Sequence, residues 1–288
     1  MYSDKYKIKI KTMSLSTHNI TSDKNNNTEQ KLSLIKQRNG VFMRNIKLMI
    51  EYDGSRYQGW TRLGKDESGN TISNKILEVL RKMTGEDNIE LFCGCRTEVG
   101  VHAYAQIANF KTSCDASTKN IKHYLNRYLP MDIAILDVKE MPERFHAQLN
   151  ATSKTYVYRM TIDDVPSVFD RKYTYHCYRI PDKHLMQLAA EQIVGKHDFR
   201  NFSTAKRTKS TVREVYDIDI YGDIEEMQIT IHADDFLHNM ARIIIGTLLD
   251  VGLGNRSVND IPDIFESLLP YSAPCDPKGL YLQEITYK

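Results

Sequence analysis

The stretch IKLMIEYDG, Ile46 to Gly54, alternates at period two through Ile46, Leu48, Ile50 and Tyr52 and then stops at Asp53-Gly54. That is the pattern of a half-buried strand entering a turn. Downstream, Ile72, Ile76, Leu77, Leu80 and Met83 recur at helical spacing behind Thr71, a residue suited to cap a helix N-terminus. Apolar stretches at Ile89 to Cys93 and Ala105 to Phe110 flank a polar segment and predict two short strands joined by a loop from Arg96 to His102. Ser117 then caps a second helix with Ile121, Tyr124, Leu125 and Tyr128 on one face and Pro130 as its stop, and Ile133 and Ile135 suggest another strand.

The rest of the chain continues in the same style. Tyr156, Tyr158, Met160 and Ile162 alternate, Asp182 caps a helix through Val194, and two strands meet near Gly222. Phe236 to Val251 is apolar on nearly every side, which predicts a helix buried between layers and ended by Gly252 and Gly254. Strands and helices mix without regular alternation, so the expected class is α+β, with mainly antiparallel sheets and helices packed against them. The expected boundary lies near residue 150, between an N-terminal half over 43–150 and a C-terminal half over 151–288. Residues 1–42, rich in Lys, Asn, Ser and Thr with the run Asn25, Asn26, Asn27, read as a disordered extension. Met43 stands directly before the first strand and is an alternative start.

Composition narrows the class without naming it. The 288 residues are 41% hydrophobic and 26% charged, and no apolar run approaches the ~20 residues of a membrane span, so a soluble, cytoplasmic protein is expected. The first residues interleave Lys5, Lys7, Lys9 and Lys11 with Tyr6, Ile8 and Ile10 and offer no secretory h-region. Five cysteines, an odd number without C-x-x-C spacing, argue against a disulfide framework and a zinc site. A formal charge of +2 means that any nucleic-acid surface is a local patch.

The densest polar constellation is Arg96, Thr97, Glu98, Gly100 and His102, between apolar strands. Glu98 and His102 stand four apart, as metal ligands can, but no second His or Cys cluster supports them. A solvated loop with an Arg96–Glu98 surface pair is the plainer alternative. Arg242, on a helix this apolar, needs a partner, because an unpaired buried charge costs several kcal/mol. Lys206, Arg207, Lys209 and Arg213 follow DFRNFS (Asp198 to Ser203), and Lys119, Lys122 and Arg127 decorate the second helix; alone, these read as solvated faces.

From Arg44 to the C-terminus the segments resemble the tRNA pseudouridine synthase A family in order and spacing. YDGSRYQGW (Tyr52 to Trp60) resembles its first signature and CRTEVGVHAYAQIANF (Cys95 to Phe110) its catalytic loop. NRYLPMDI (Asn126 to Ile133), RFHAQLNATSKTYVY (Arg144 to Tyr158), FLHNMARIIIGTLLDVGLG (Phe236 to Gly254) and APCDPKGLYL (Ala273 to Leu282) complete the series. The resemblance implies a pseudouridine synthase fold of two related α+β halves. It implies isomerisation of uridine to pseudouridine in the anticodon arm of tRNA, without metal or organic cofactor, by a homodimer. It also implies site roles: Glu98 as the essential carboxylate, Arg96 filling the space left by a flipped base, Tyr156 stacking on uracil, and Arg242 pairing with Glu98. Arg96, His102, Lys206, Arg207, Lys209 and Arg213 become candidate RNA contacts.

Two departures stand out. The family loop reads Arg-Thr-Asp, whereas this chain has Glu98, followed by Val99 where a small residue is usual; Gln148 stands where an Arg commonly follows Phe-His-Ala. Glu and Asp have similar reference pKa values, ~4.3 and ~3.9, so the exchange alters reach rather than basicity. A misplacement of ~1 Å can cost ~100-fold in rate. The competing expectation is therefore a catalytically impaired or inactive tRNA-binding paralogue that keeps the fold and pocket.

Overall fold

A computed structural model describes residues 43–61, 69–205, 210–222 and 225–288. The extension expected over residues 1–42, and Lys206, Arg207 and Lys209, lie outside the described residues. The chain adopts the expected α+β architecture. In order it forms β1 (Arg44–Tyr52), α1 (Ile72–Thr84), β2 (Leu91–Cys93), β3 (His102–Thr112), α2 (Thr118–Tyr128), β4 (Ile133–Met141), β5 (Ala151–Ile162) and β6 (Tyr175–Cys177). There follow α3 (Lys183–Ile193), β7 (Gly195–Asp198), β8 (Val212–Gly222), β9 (Glu226–Ala233), α4 (Met240–Gly252), α5 (Asp260–Phe265) and β10 (Leu280–Tyr287).

The caps expected from sequence are present. Thr71, Ser117 and Asp182 accept hydrogen bonds from the backbone N–H groups of Asn74, Asn120 and His184, which satisfies donors that a helix leaves open at its first turn. The strands form one sheet in the order β4-β1-β3-β10-β5-β9-β8-β7, with β2 on β3 and β6 on β5. Pairing is antiparallel except for β10 on β3 and β6 on β5. The last strand of the chain is thus a middle strand of the sheet, which the sequence reading did not include.

Register places Tyr52, Ala103, Leu282, Tyr156 and Ile231 in one cross-strand row, hence on one face. That face carries the core: Ile46, Leu48, Ile50, Tyr158, Met160 and Ile229 are buried, and so are Ile76 and Leu80 of α1 and Ile121 and Leu125 of α2. Helix α4 buries eleven of its thirteen residues. It begins at Met240 rather than Phe236, because Asn239 adopts the left-handed conformation (φ 60°, ψ 6°) and interrupts helical geometry there. Among the described residues no helix is long and apolar enough to cross a membrane.

Candidate active site

The loop between β2 and β3 is clamped from three sides. Gln106 of β3 acts as a substitute strand: its Oε1 accepts the Cys95 N–H at 3.3 Å and its Nε2 donates to the Cys95 carbonyl at 2.6 Å. Tyr52, at the end of β1, shares a 2.7 Å hydrogen bond with Thr97 Oγ1, and the Trp60 N–H donates to the Thr97 carbonyl at 3.0 Å. The turn after β1 lies directly on the loop backbone. A Cβ on Gly54 would stand 2.0 Å from the Val101 carbonyl oxygen, and one on Gly59 2.7 Å from that of Thr97. The two glycines of YDGSRYQGW therefore fix the height of the loop through close backbone approach.

Glu98 leaves this clamped loop half-buried and reaches the start of α4, where its Oε1 accepts the backbone N–H of Asn239 at 2.9 Å. An anion at a helix N-terminus meets N–H groups without intrahelical partners. Arg242, one turn into α4, donates from Nε to the Cys275 carbonyl at 2.9 Å and from Nη1 to Asn239 Oδ1 at 3.0 Å. The expected direct pairing of Glu98 with Arg242 is thus corrected: among the described residues no ion pair joins them, and Asn239 stands between, its backbone on one and its side chain on the other. The half-buried arginine instead places two of its donors on a carbonyl and an amide oxygen.

Tyr156 lies beneath this group, buried on β5. Its hydroxyl meets Cys95 Sγ at 3.1 Å, and its ring packs edge-on against Phe236 with centroids 5.0 Å apart. Burial, then the neighbouring Cys95 and Glu98, push the phenol well above its ordinary pKa, so it is neutral at neutral pH. Burial likewise raises the Cys95 thiol. Lys154, two residues before Tyr156, is almost fully covered and pairs with Asp235, whose Oδ1 also accepts the Phe236 N–H.

Of the other expected site residues, Arg96 is exposed and makes no hydrogen bond or ion pair among the described residues. His102 does not fit its expected place. It is 1% exposed, its Nδ1 accepts the Gly54 N–H at 3.1 Å, and its ring stacks on Tyr281 at 4.7 Å. Burial lowers its pKa, against the opposing pull of Asp53, so the ring is a neutral strut of the first turn rather than an RNA contact. Arg213 folds back on the carbonyls of Ser210 and Val212. A cavity of about 360 Å³, lined by Asp53, His102, Tyr104, Arg159 and Tyr281, lies on the other face of the sheet. Arg159 is three residues along β5 from Tyr156 and so points the opposite way. The cavity is not the Glu98 site.

Asn239 is the residue that sequence reasoning missed. Its signal was present: an Asn immediately before an apolar helix is a helix-start residue, and Asn tolerates left-handed backbone. The apolar run from Phe236 concealed it.

The profile of a family described as tRNA pseudouridine synthase matches residues 48–150 and 189–288. A Bacillus cereus tRNA pseudouridine synthase A 2 is 42% identical over 248 residues, 85% of this chain and 100% of that protein. A tRNA pseudouridine synthase A of a Bacillus species is 43% identical over 247 residues, with the same shares, and a Clostridium perfringens tRNA pseudouridine synthase A 2 is 41% identical over 248. The matched regions contain Glu98, Arg242 and the whole β2–β3 loop.

Proposed function

This chain belongs to the tRNA pseudouridine synthase family, and from that premise we propose that it isomerises uridine to pseudouridine in the anticodon arm of tRNA with Glu98 as the working carboxylate. The reaction breaks the bond between uracil N1 and the ribose C1′ and rejoins C1′ to C5; the C5 proton leaves and N1 gains one, so no redox partner is needed. An anion beside the ribose can attack or stabilise the electron-poor sugar while the base turns. The observation that carries this reading is Glu98 itself, held on a clamped loop at the N-terminus of α4 beside Arg242 and Tyr156.

The remaining roles follow from position. Arg96, exposed and uncommitted, is suited to fill the stack when the target nucleotide flips out. Tyr156 offers a neutral ring to uracil once Phe236 yields. Lys206, Arg207, Lys209 and Arg213 are proposed phosphate contacts, which makes binding weaken with salt. We further propose that segments 43–150 and 151–288 act as two halves, that two copies share one tRNA, and that the protein works in the cytoplasm; the family resemblance supports these.

The test measures pseudouridine formed in unmodified tRNA by the native protein, Glu98→Gln and Glu98→Asp, with tRNA binding followed in parallel. Product that disappears in Glu98→Gln while binding persists supports the assignment. Glu98→Asp is expected to retain about a hundredth of the rate, since the carboxylate withdraws by at least ~1 Å from its anchored place. Native protein that binds tRNA without product, with activity appearing only in Glu98→Asp, would instead establish the silent binding paralogue.

A further inference from the structure

We propose that Asn239 is the positioning residue that allows a glutamate to serve in this loop, holding Oε1 of Glu98 through its backbone and leaving Oε2 for the substrate. The proposal rests on Glu98 being the working carboxylate. Asn239 is one of two non-glycine residues with positive φ among the described residues, a conformation that costs free energy and persists where surrounding contacts enforce it. Here those contacts are visible. Its Nδ2 donates to Thr204 Oγ1 at 2.9 Å, its Oδ1 accepts from Arg242, and neither atom caps its own helix. Thr204 and Ser203 in turn hold the preceding residue: the Thr204 N–H and the Ser203 hydroxyl both donate to the His238 carbonyl, at 3.1 and 3.0 Å.

The left-handed turn aims the Asn239 N–H away from the helix and at a carboxylate 141 residues earlier in the chain. The same residue anchors Arg242 by its side chain, so the two charges are oriented together without pairing directly. Oε2 of Glu98 accepts no hydrogen bond among the described residues and remains available to the sugar. The device depends on length. An aspartate on the same backbone would withdraw by roughly one C–C bond, about 1.5 Å, and the 2.9 Å contact would be lost.

The test is a double-mutant cycle on pseudouridine formation, with kcat and KM for tRNA measured separately. Asn239→Ala and Asn239→Gly are each made with Glu98 and in the Glu98→Asp background. Asn239→Ala disfavours the left-handed backbone and is expected to lower kcat about ten- to hundredfold, the worth of a hydrogen bond to a charged group, with KM within about twofold. Asn239→Gly keeps the backbone and its N–H and is expected to recover about tenfold over Asn239→Ala. In the Glu98→Asp background, where the Glu98 contact is already broken and only the Arg242 anchor is left to lose, Asn239→Ala is expected to cost severalfold less than it does with Glu98. An unchanged kcat in Asn239→Ala, or equal losses in both backgrounds, overturns the proposal while the loss of product in Glu98→Gln still upholds Glu98. A native protein without product overturns both. If Asn239→Ala does not fold, the cycle runs on Asn239→Gly against Asn239→Ser, which lacks the left-handed tolerance of Asn and Gly, and a glycine variant no more active than the serine variant overturns the proposal.

Discussion

At Gly59 the backbone stands at φ 78°, and a Cβ would sit 2.7 Å from the Thr97 carbonyl oxygen. Gly59→Ala therefore meets both a left-handed penalty and a clash with main chain, and is expected to lower unfolding free energy by about 1–3 kcal/mol in urea titrations. It should also reduce product formation, because the atom it strikes precedes Glu98. His102 predicts a pH effect whose sign follows from its burial. Its folded pKa lies below the unfolded value of ~6.5, so as pH falls through that value the unfolded chain takes up the proton first. Stability is then lost between about pH 6.5 and the lower folded pKa, and levels below it. His102→Asn, which keeps an acceptor near the Gly54 N–H, should show a smaller drop between pH 7 and pH 5 than the native protein; an equal drop would remove His102 from the account. Residue type and setting drew attention to Arg96, Glu98 and Arg242, since charge is written in the side chain, whereas Tyr156 read as a strand aromatic until the family resemblance gave it a role. The same habit misplaced His102, whose role depends on burial, and passed over Asn239, whose contribution to Glu98 comes from a main-chain N–H in a rare conformation.

Among the elements, α4 must approach the segment before β10 closely: a Cβ on Gly246 would stand 2.1 Å from the Ala273 carbonyl oxygen. The Cys275 N–H donates to the Arg242 carbonyl at 3.0 Å, and the Cys275 carbonyl accepts from the Arg242 guanidinium. Gly246→Ala should therefore force α4 away from the strap that seats Arg242. A melting temperature lowered by several degrees, together with reduced product at unchanged tRNA binding, is the expected result. Elements with local signatures were legible in the sequence. Thr71, Ser117 and Asp182 announced three helices, and period-two runs announced β1 and β5, because caps and amphipathic faces are short-range properties. β10 was not legible: Leu280, Tyr281 and Leu282 are all buried, and a register shift between Leu282 and Glu284 breaks the alternation that would have marked it. A strand covered on both faces loses the polar half of its pattern.

At the scale of the whole molecule, β10 lies between β3 and β5 and, among the described residues, is their only link in the sheet order. A protein ending before Leu280 is expected to lose its cooperative thermal transition, because the cut leaves two strand edges unpaired and exposes the core row that includes Leu282. Retention of a native-like melting curve would show that the two sides fold without it. The same placement sets a schedule for the cell. β3 and β5 leave the ribosome well before β10, their shared neighbour, so the sheet closes only after β10 has emerged. Until then β3 and β5 each present an open edge to which another strand can add. The wait for β10 is thus an interval in which the emerging chain is open to mispairing.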